Sequence, residues 1–178
     1  MIQLDADTLT LGDMPEVHQR VSGKTSFALP TKSGQSIETM RESNDRIKNW
    51  PENHVQVKAE KNFYKLEGYE KMKYVRGSAA FAGFVAGSFS LSKLEKFSQQ
   101  MNEIIGEDWS KWGTEQVTSN FLIANSSPSK MMPFPKYSGY YPPHNISYEN
   151  THFMHFAGHH RWKNGFYIKN ARNFVDTI

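Results

Sequence analysis

The chain has 178 residues, 38% of them hydrophobic, 13% aromatic and 22% charged, enough apolar material for one domain with its own core and too much for a disordered segment. Its net charge is +3, and its 21 basic residues are scattered among 18 acidic ones, which argues against a nucleic-acid partner. It holds no cysteine, so a disulfide framework and a thiolate metal site are excluded; no apolar run approaches the roughly 20 residues of an integral membrane segment; and Asp5 and Asp7 interrupt the first apolar stretch before it can act as a signal peptide. The expectation is a soluble, cytoplasmic protein.

Residues 1–4 are apolar and predict a central strand, whose two edges must be paired either by later strands or by a portion preceding this chain. The run Asp13-Met14-Pro15-Glu16 predicts a helix to about Arg20, with Asp13 as cap and Pro15 and Glu16 in the first turn. A short strand is expected over 26–30, a polar helix over 36–49 and an exposed, alternating strand over 54–58; residues 62–73 are indecisive. Residues 74–89 are apolar and spaced by glycine, as buried strands are where another backbone or a ligand comes close. Ser92-Lys93-Leu94-Glu95 reads as a capping box for a helix whose apolar positions are Leu91, Leu94, Phe97, Met101, Ile104 and Ile105, ended by Gly106. A second helix opens at Thr114-Glu115-Gln116 with Val117, Phe121 and Ala124 facing the core. Residues 126–150 predict a long loop with a short strand near 131–134, residues 151–156 a strand and residues 164–175 a closing helix. Helices interleaved with short buried strands predict an α/β fold, a mixed sheet flanked by helices.

Two ends of the chain carry complementary chemistry. Asp5 and Asp7 follow the first strand, and positions i and i+2 of a strand share a side, so both carboxylates can reach one hard cation, Mg²⁺ or Mn²⁺. A polar strand-to-loop junction would look the same. Near the other end runs His155-Phe156-Ala157-Gly158-His159-His160-Arg161-Trp162. In an extended segment His152 and His155 face opposite sides, so only His155 heads the glycine turn. Gly158 lets a backbone amide approach a phosphate oxygen, Arg161 offers a planar fork, and His160 lies between them; the plain reading is a core-edge histidine beside a surface turn. Zinc held by His152, His155 and His159 would need a helix, which Gly158 opposes. Glu115 and Gln116 sit at a helix start, where an acid can serve as a base, hold a sugar hydroxyl or do no more than complement the helix end. Trp109 and Trp112 fit a sugar platform or core anchors, residues 76–87 fit an acceptor or sugar floor or a closely packed strand pair, and Lys24 and Lys136 read as surface charges.

In this order the motifs resemble those of nucleotide-sugar glycosyltransferases of the GT-A fold. Asp5-Ala6-Asp7 is similar to their metal-binding Asp-x-Asp, and Asp13-Met14-Pro15-Glu16-Val17 to the short helix after it. Trp112-Gly113-Thr114-Glu115-Gln116 is similar to their acid-Gln helix start, and His155-Phe156-Ala157-Gly158 with Arg161-Trp162 to the His-Phe-x-Gly-x-x-Lys-Pro-Trp ending of glycogenin-like and galactosyltransferase-like members. Arg161 stands where lysine is usual, and no proline precedes Trp162. Only four residues precede Asp5, so the resemblance spans nearly all of this chain but only the C-terminal part of the family's domain, without its N-terminal Rossmann-like half.

The resemblance implies Mn²⁺ or Mg²⁺ held by Asp5, Asp7 and His155, a nucleoside-diphosphate sugar donor held by Gly158, His160 and Arg161, and transfer to a hydroxyl of a glycan, lipid or protein. Glu115 would be the base of an inverting reaction or, with Gln116, would orient the sugar in a retaining one, which the ending favours. The competing expectations are a non-catalytic fragment of such an enzyme and a basic, aromatic module for single-stranded nucleic acid.

Overall fold

Four strands form the sheet on which the rest is built. The computed structural model describes residues 1–126, 128–144 and 146–175. β1 (Ile2–Leu4), β6 (Ser78–Gly83), β3 (Ser26–Leu29) and β7 (Ser129–Met131) lie side by side in the order β1-β6-β3-β7. β6 is antiparallel to both neighbours and β7 is parallel to β3. A second sheet has the order β2-β9-β8, from β2 (Thr8–Thr10), β9 (Phe153–His155) and β8 (Tyr137–Gly139). β4 (Ile37–Thr39) and β5 (Lys73–Val75) pair as an antiparallel two-stranded ribbon. The architecture is α/β, with mixed sheets flanked by helices.

Every residue of β3 is buried, because apolar layers cover both faces of the first sheet. On one side Ala28 and Ala82 meet Phe97, Met101, Val117 and Phe121 from α4 (Leu91–Ile105) and α5 (Thr114–Ala124), together with α2 (Met40–Ile47) and α3 (Val55–Asn62). On the other, Phe27, Leu29 and Phe81 meet Phe153 and Tyr137 of the second sheet and Val17 of α1 (Pro15–Ser22). Tyr140, Met154 and Phe156 form a third cluster against Phe166 and Tyr167 of α6 (Phe166–Val175). Gly83 is required where it stands, since a Cβ there would lie 2.2 Å from the ring of Phe27. Among the described residues no helix is long and apolar enough to cross a membrane.

Seven local expectations are corrected. β1 is an edge strand with Ile2 and Leu4 exposed; among the described residues its single partner is β6. The residue before α1 is Met14, with no side-chain cap, so Asp13 does not cap it. Residues 36–49 split into β4 and α2, because Thr39 and Glu42 make a capping box in which each side chain bonds the other's backbone. Residues 54–58 are helical: His54 caps α3 by accepting from the Gln56 amide, and Val55, Ala59 and Phe63, four apart, are all buried. The α4 cap is Ser90 rather than Ser92, and β8 lies in the stretch predicted as loop. Lys136 is no free surface charge, since it bonds Glu16 at 2.8 Å.

Candidate functional site

The junction between the two sheets carries Asp5 and Asp7. The Asp5 amide continues the β6 ladder by donating to the Ala80 carbonyl, and the Asp7 carbonyl accepts from the Phe156 amide just past β9. Between them the chain turns, and the Thr8 hydroxyl closes the turn on the Asp5 carbonyl at 2.8 Å. Asp5 and Asp7 therefore converge through a turn between strands, not through the two-residue period of one strand. His155 sits at the end of β9, opposite Thr8 on one side and Gly139 on the other.

These placements bring the distant motifs together. The His155 Nε2 atom lies 3.3 Å from Asp7 Oδ1 and 4.0 Å from Asp5 Oδ2, and one ligand atom from each of the three residues lies within 4.8 Å of the others. Burial pulls the His155 pKa below its ordinary value, against the opposing pull of Asp7 and Asp5, which favours the neutral imidazole that a metal needs. Arg161 donates from Nε to the Gly158 carbonyl at 3.0 Å and from a terminal nitrogen to Asp7 Oδ2 at 2.7 Å. Gly158 has φ +51°, and the space where a Cβ would stand is open; a side chain there would be strained and would project where a ligand has room.

A cavity of about 540 Å³ collects this cluster and the second candidate region: Asp5, Asp7, His155, Gly158 and Arg161 line it, and so do Glu115 and Gln116. Glu115 Oε2 accepts from the Gly113 amide at the start of α5. Gln116 donates to Gln56, which in turn donates to the buried Tyr74 hydroxyl, so its amide is held from below. Of residues 76–87, Ser78, Ala79 and Ala80 contribute to the wall, whereas the Arg76 side chain pairs with buried Glu60. Trp109 is a core anchor and Trp112 stands at the cavity, 82% exposed.

One of the expected residues stands apart. His160 meets the Tyr141 ring edge-on and the His159 ring at a tilt, and is not among the cavity-lining residues. His152 bonds the Asp13 carbonyl, and, in keeping with the argument against zinc, His152, His155 and His159 are not brought together among the described residues. Sequence reasoning also missed His54, Gln3 and Thr31 as lining residues. The four-residue spacing of Val55, Ala59 and Phe63 could have revealed the helix that His54 caps; Gln3 and Thr31 reach the cavity through strand pairing that no local pattern announces.

No protein-family model matches the chain, and neither curated proteins nor solved structures yield a match.

Proposed function

We propose that this chain carries a metal-dependent sugar-transfer site of the GT-A glycosyltransferase type, acting on a nucleoside-diphosphate sugar and an acceptor hydroxyl. The observation that carries the reading is the meeting of Asp5 and Asp7 with His155 inside a cavity that also holds Gly158, Arg161, Glu115 and Gln116. The donor set fits Mn²⁺ or Mg²⁺: two carboxylates and one imidazole are hard or borderline ligands, and three protein donors leave coordination positions for phosphate oxygens and water. When bound, the ion neutralises charge that builds on the leaving diphosphate.

The chain's own residues supply the rest. Arg161, held on Asp7 in the free protein, turns its fork to a diphosphate oxygen, and the Gly158 amide offers a second donor. The acceptor oxygen attacks the anomeric carbon, the bond from that carbon to the diphosphate oxygen breaks, and its electron pair stays with the diphosphate. In the retaining course favoured by the His155-Phe156-Ala157-Gly158 ending, the leaving oxygen takes the acceptor proton, and Glu115 and Gln116 orient the sugar. In an inverting course Glu115 takes that proton instead.

Calorimetric titration with Mn²⁺ and then UDP tests the site. Wild-type protein is expected to bind the metal and to bind UDP more tightly in its presence, and Asp7→Ala to lose both. Metal binding and metal-dependent UDP binding that survive Asp7→Ala undiminished would sink the assignment.

A further inference from the structure

Among the described residues Trp112 is the most exposed large hydrophobic one, at 82%, yet it borders the cavity. The core has no use for it. Trp109, three residues earlier, is buried, meets Phe97 edge-on and donates its indole N–H to Ser98 at 2.9 Å, so the approach to α5 is already anchored.

The position of Trp112 is nevertheless built. Gly113 follows it with φ +101°, and a Cβ at that point would stand 2.8 Å from the His54 ring. His54 is fixed in turn, because its Nδ1 accepts from the Gln56 amide at 3.1 Å. Its ring meets the indole at 5.4 Å and 82°, an edge-to-face contact that leaves at least one indole face open. Glu115 and Gln116 follow directly. Glu115 uses Oε2 on the Gly113 amide, and Gln116 uses Nε2 on Gln56, which leaves the Oε1 atom of each to accept from a ligand hydroxyl.

A flat apolar face with hydrogen-bond acceptors at its margin matches a pyranose ring, which has one face of C–H bonds and a rim of hydroxyls. Trp112 is set beside His54, with Glu115 and Gln116 in the same cavity wall. We infer that the acceptor is a carbohydrate and that its terminal pyranose stacks on Trp112, an inference that rests on the sugar-transfer reading of the cavity.

The test follows the Trp112 indole N–H by NMR in the full chain during titration with methyl glucoside, methyl galactoside and methyl mannoside, with glycerol as a polyol that lacks a ring face. At least one pyranoside is expected to shift the Trp112 signal and leave that of Trp109 in place, and glycerol to shift neither. Trp112→Ala is expected to weaken pyranoside binding about tenfold, and Trp112→Phe to retain most of it. No shift with any of the three sugars, an equal shift with glycerol, or unaltered binding by Trp112→Ala overturns the inference. Mn²⁺ calorimetry separates the two readings: a wild type that binds a pyranoside on Trp112 but no Mn²⁺ defeats sugar transfer and leaves the saccharide platform standing.

Discussion

Two acid–base clusters tie the early chain to its late segments, and they differ in how completely their hydrogen bonds close. Glu16 on α1 spends one oxygen on Lys136 at 2.8 Å and the other on the Tyr137 hydroxyl at 2.7 Å. Burial pushes its carboxyl up, but these two hydrogen bonds outweigh that and bring its pKa down to about 2. Asp7, by contrast, divides its oxygens between Arg161 and the partly buried His155, and beside it Asp5 stays half-exposed at the cavity. Glu60 belongs with Glu16 on the closed side: it is fully buried, bonded to Ser43 at 2.8 Å and paired with Arg76. Satisfied acids hold parts of the fold together, and half-exposed Asp5, next to an Asp7 whose partners face the cavity, is where a ligand can add contacts.

The largest expected effect falls on the closed side. Arg76→Met leaves Glu60 without its partner and removes the stack of Arg76 on Trp50, at an expected cost of about 3–5 kcal/mol. The cost is pH-dependent. Burial raises the Glu60 pKa above its ordinary 4.5, to about 7, against the opposing pull of Arg76 and Ser43. The folded state thus holds a proton that the unfolded chain has released, and stability falls as pH rises between those values. Without Arg76 the carboxylate is harder still to form, so denaturant melts are expected to show a larger loss at pH 8 than at pH 5. Equal losses at both values would break the picture of Glu60 as a sealed, desolvated acid.

Asp7→Asn probes the open side, and there the stability change is expected to stay small while Mn²⁺ affinity drops by about 100-fold, since a charged carboxylate ligand becomes a neutral amide. Calorimetry and a thermal melt of the same sample give both readings. A large drop in melting temperature with metal affinity intact would put Asp7 in the same class as Glu16.

Legibility in the sequence followed the same division. The helices with long apolar periods were readable, and so were the site motifs, because Asp-x-Asp, the helix start at Glu115 and the glycine turn after His155 each have a local signature. The closed clusters were not: Lys136 read as surface because nothing near it in sequence announces Glu16, 120 positions away. α3 was mistaken for a strand because Val55 and Val57 alternate over a short window, and burial on several sides of a helix gives the same pattern. The convergence of Asp5 with Asp7 was expected for the wrong local reason, since a turn closed by Thr8 does what strand alternation was expected to do.

Glu16→Gln is expected to cost about 1–2 kcal/mol at neutral pH, because the carboxylate is partly solvated and its charge is screened. The sign opposes that of Glu60. A depressed folded pKa adds stability above the ordinary 4.5 that is lost as pH falls toward about 2, so wild type and variant should converge in acid. Urea midpoints at pH 7 and pH 3 measure this, and a gap that widens in acid would contradict it.

The smallest effect is the sharpest on the open cluster. Arg161 neutralises Asp7 in the free protein through the 2.7 Å pair, so it competes with a bare cation for the same carboxylate. Removing it by Arg161→Ala is expected to tighten Mn²⁺ binding a few-fold, since the ion no longer displaces a guanidinium and meets one less positive charge. The same variant is expected to bind UDP about tenfold more weakly in saturating Mn²⁺, because the fork that would grip the diphosphate is gone. The two shifts have opposite signs, which a merely structural role for Arg161 would not produce: a loosened turn at Gly158 would weaken both ligands together. Lysine at this position keeps the charge but not the fork, so Arg161→Lys should leave Mn²⁺ affinity near wild type and restore part of the UDP affinity.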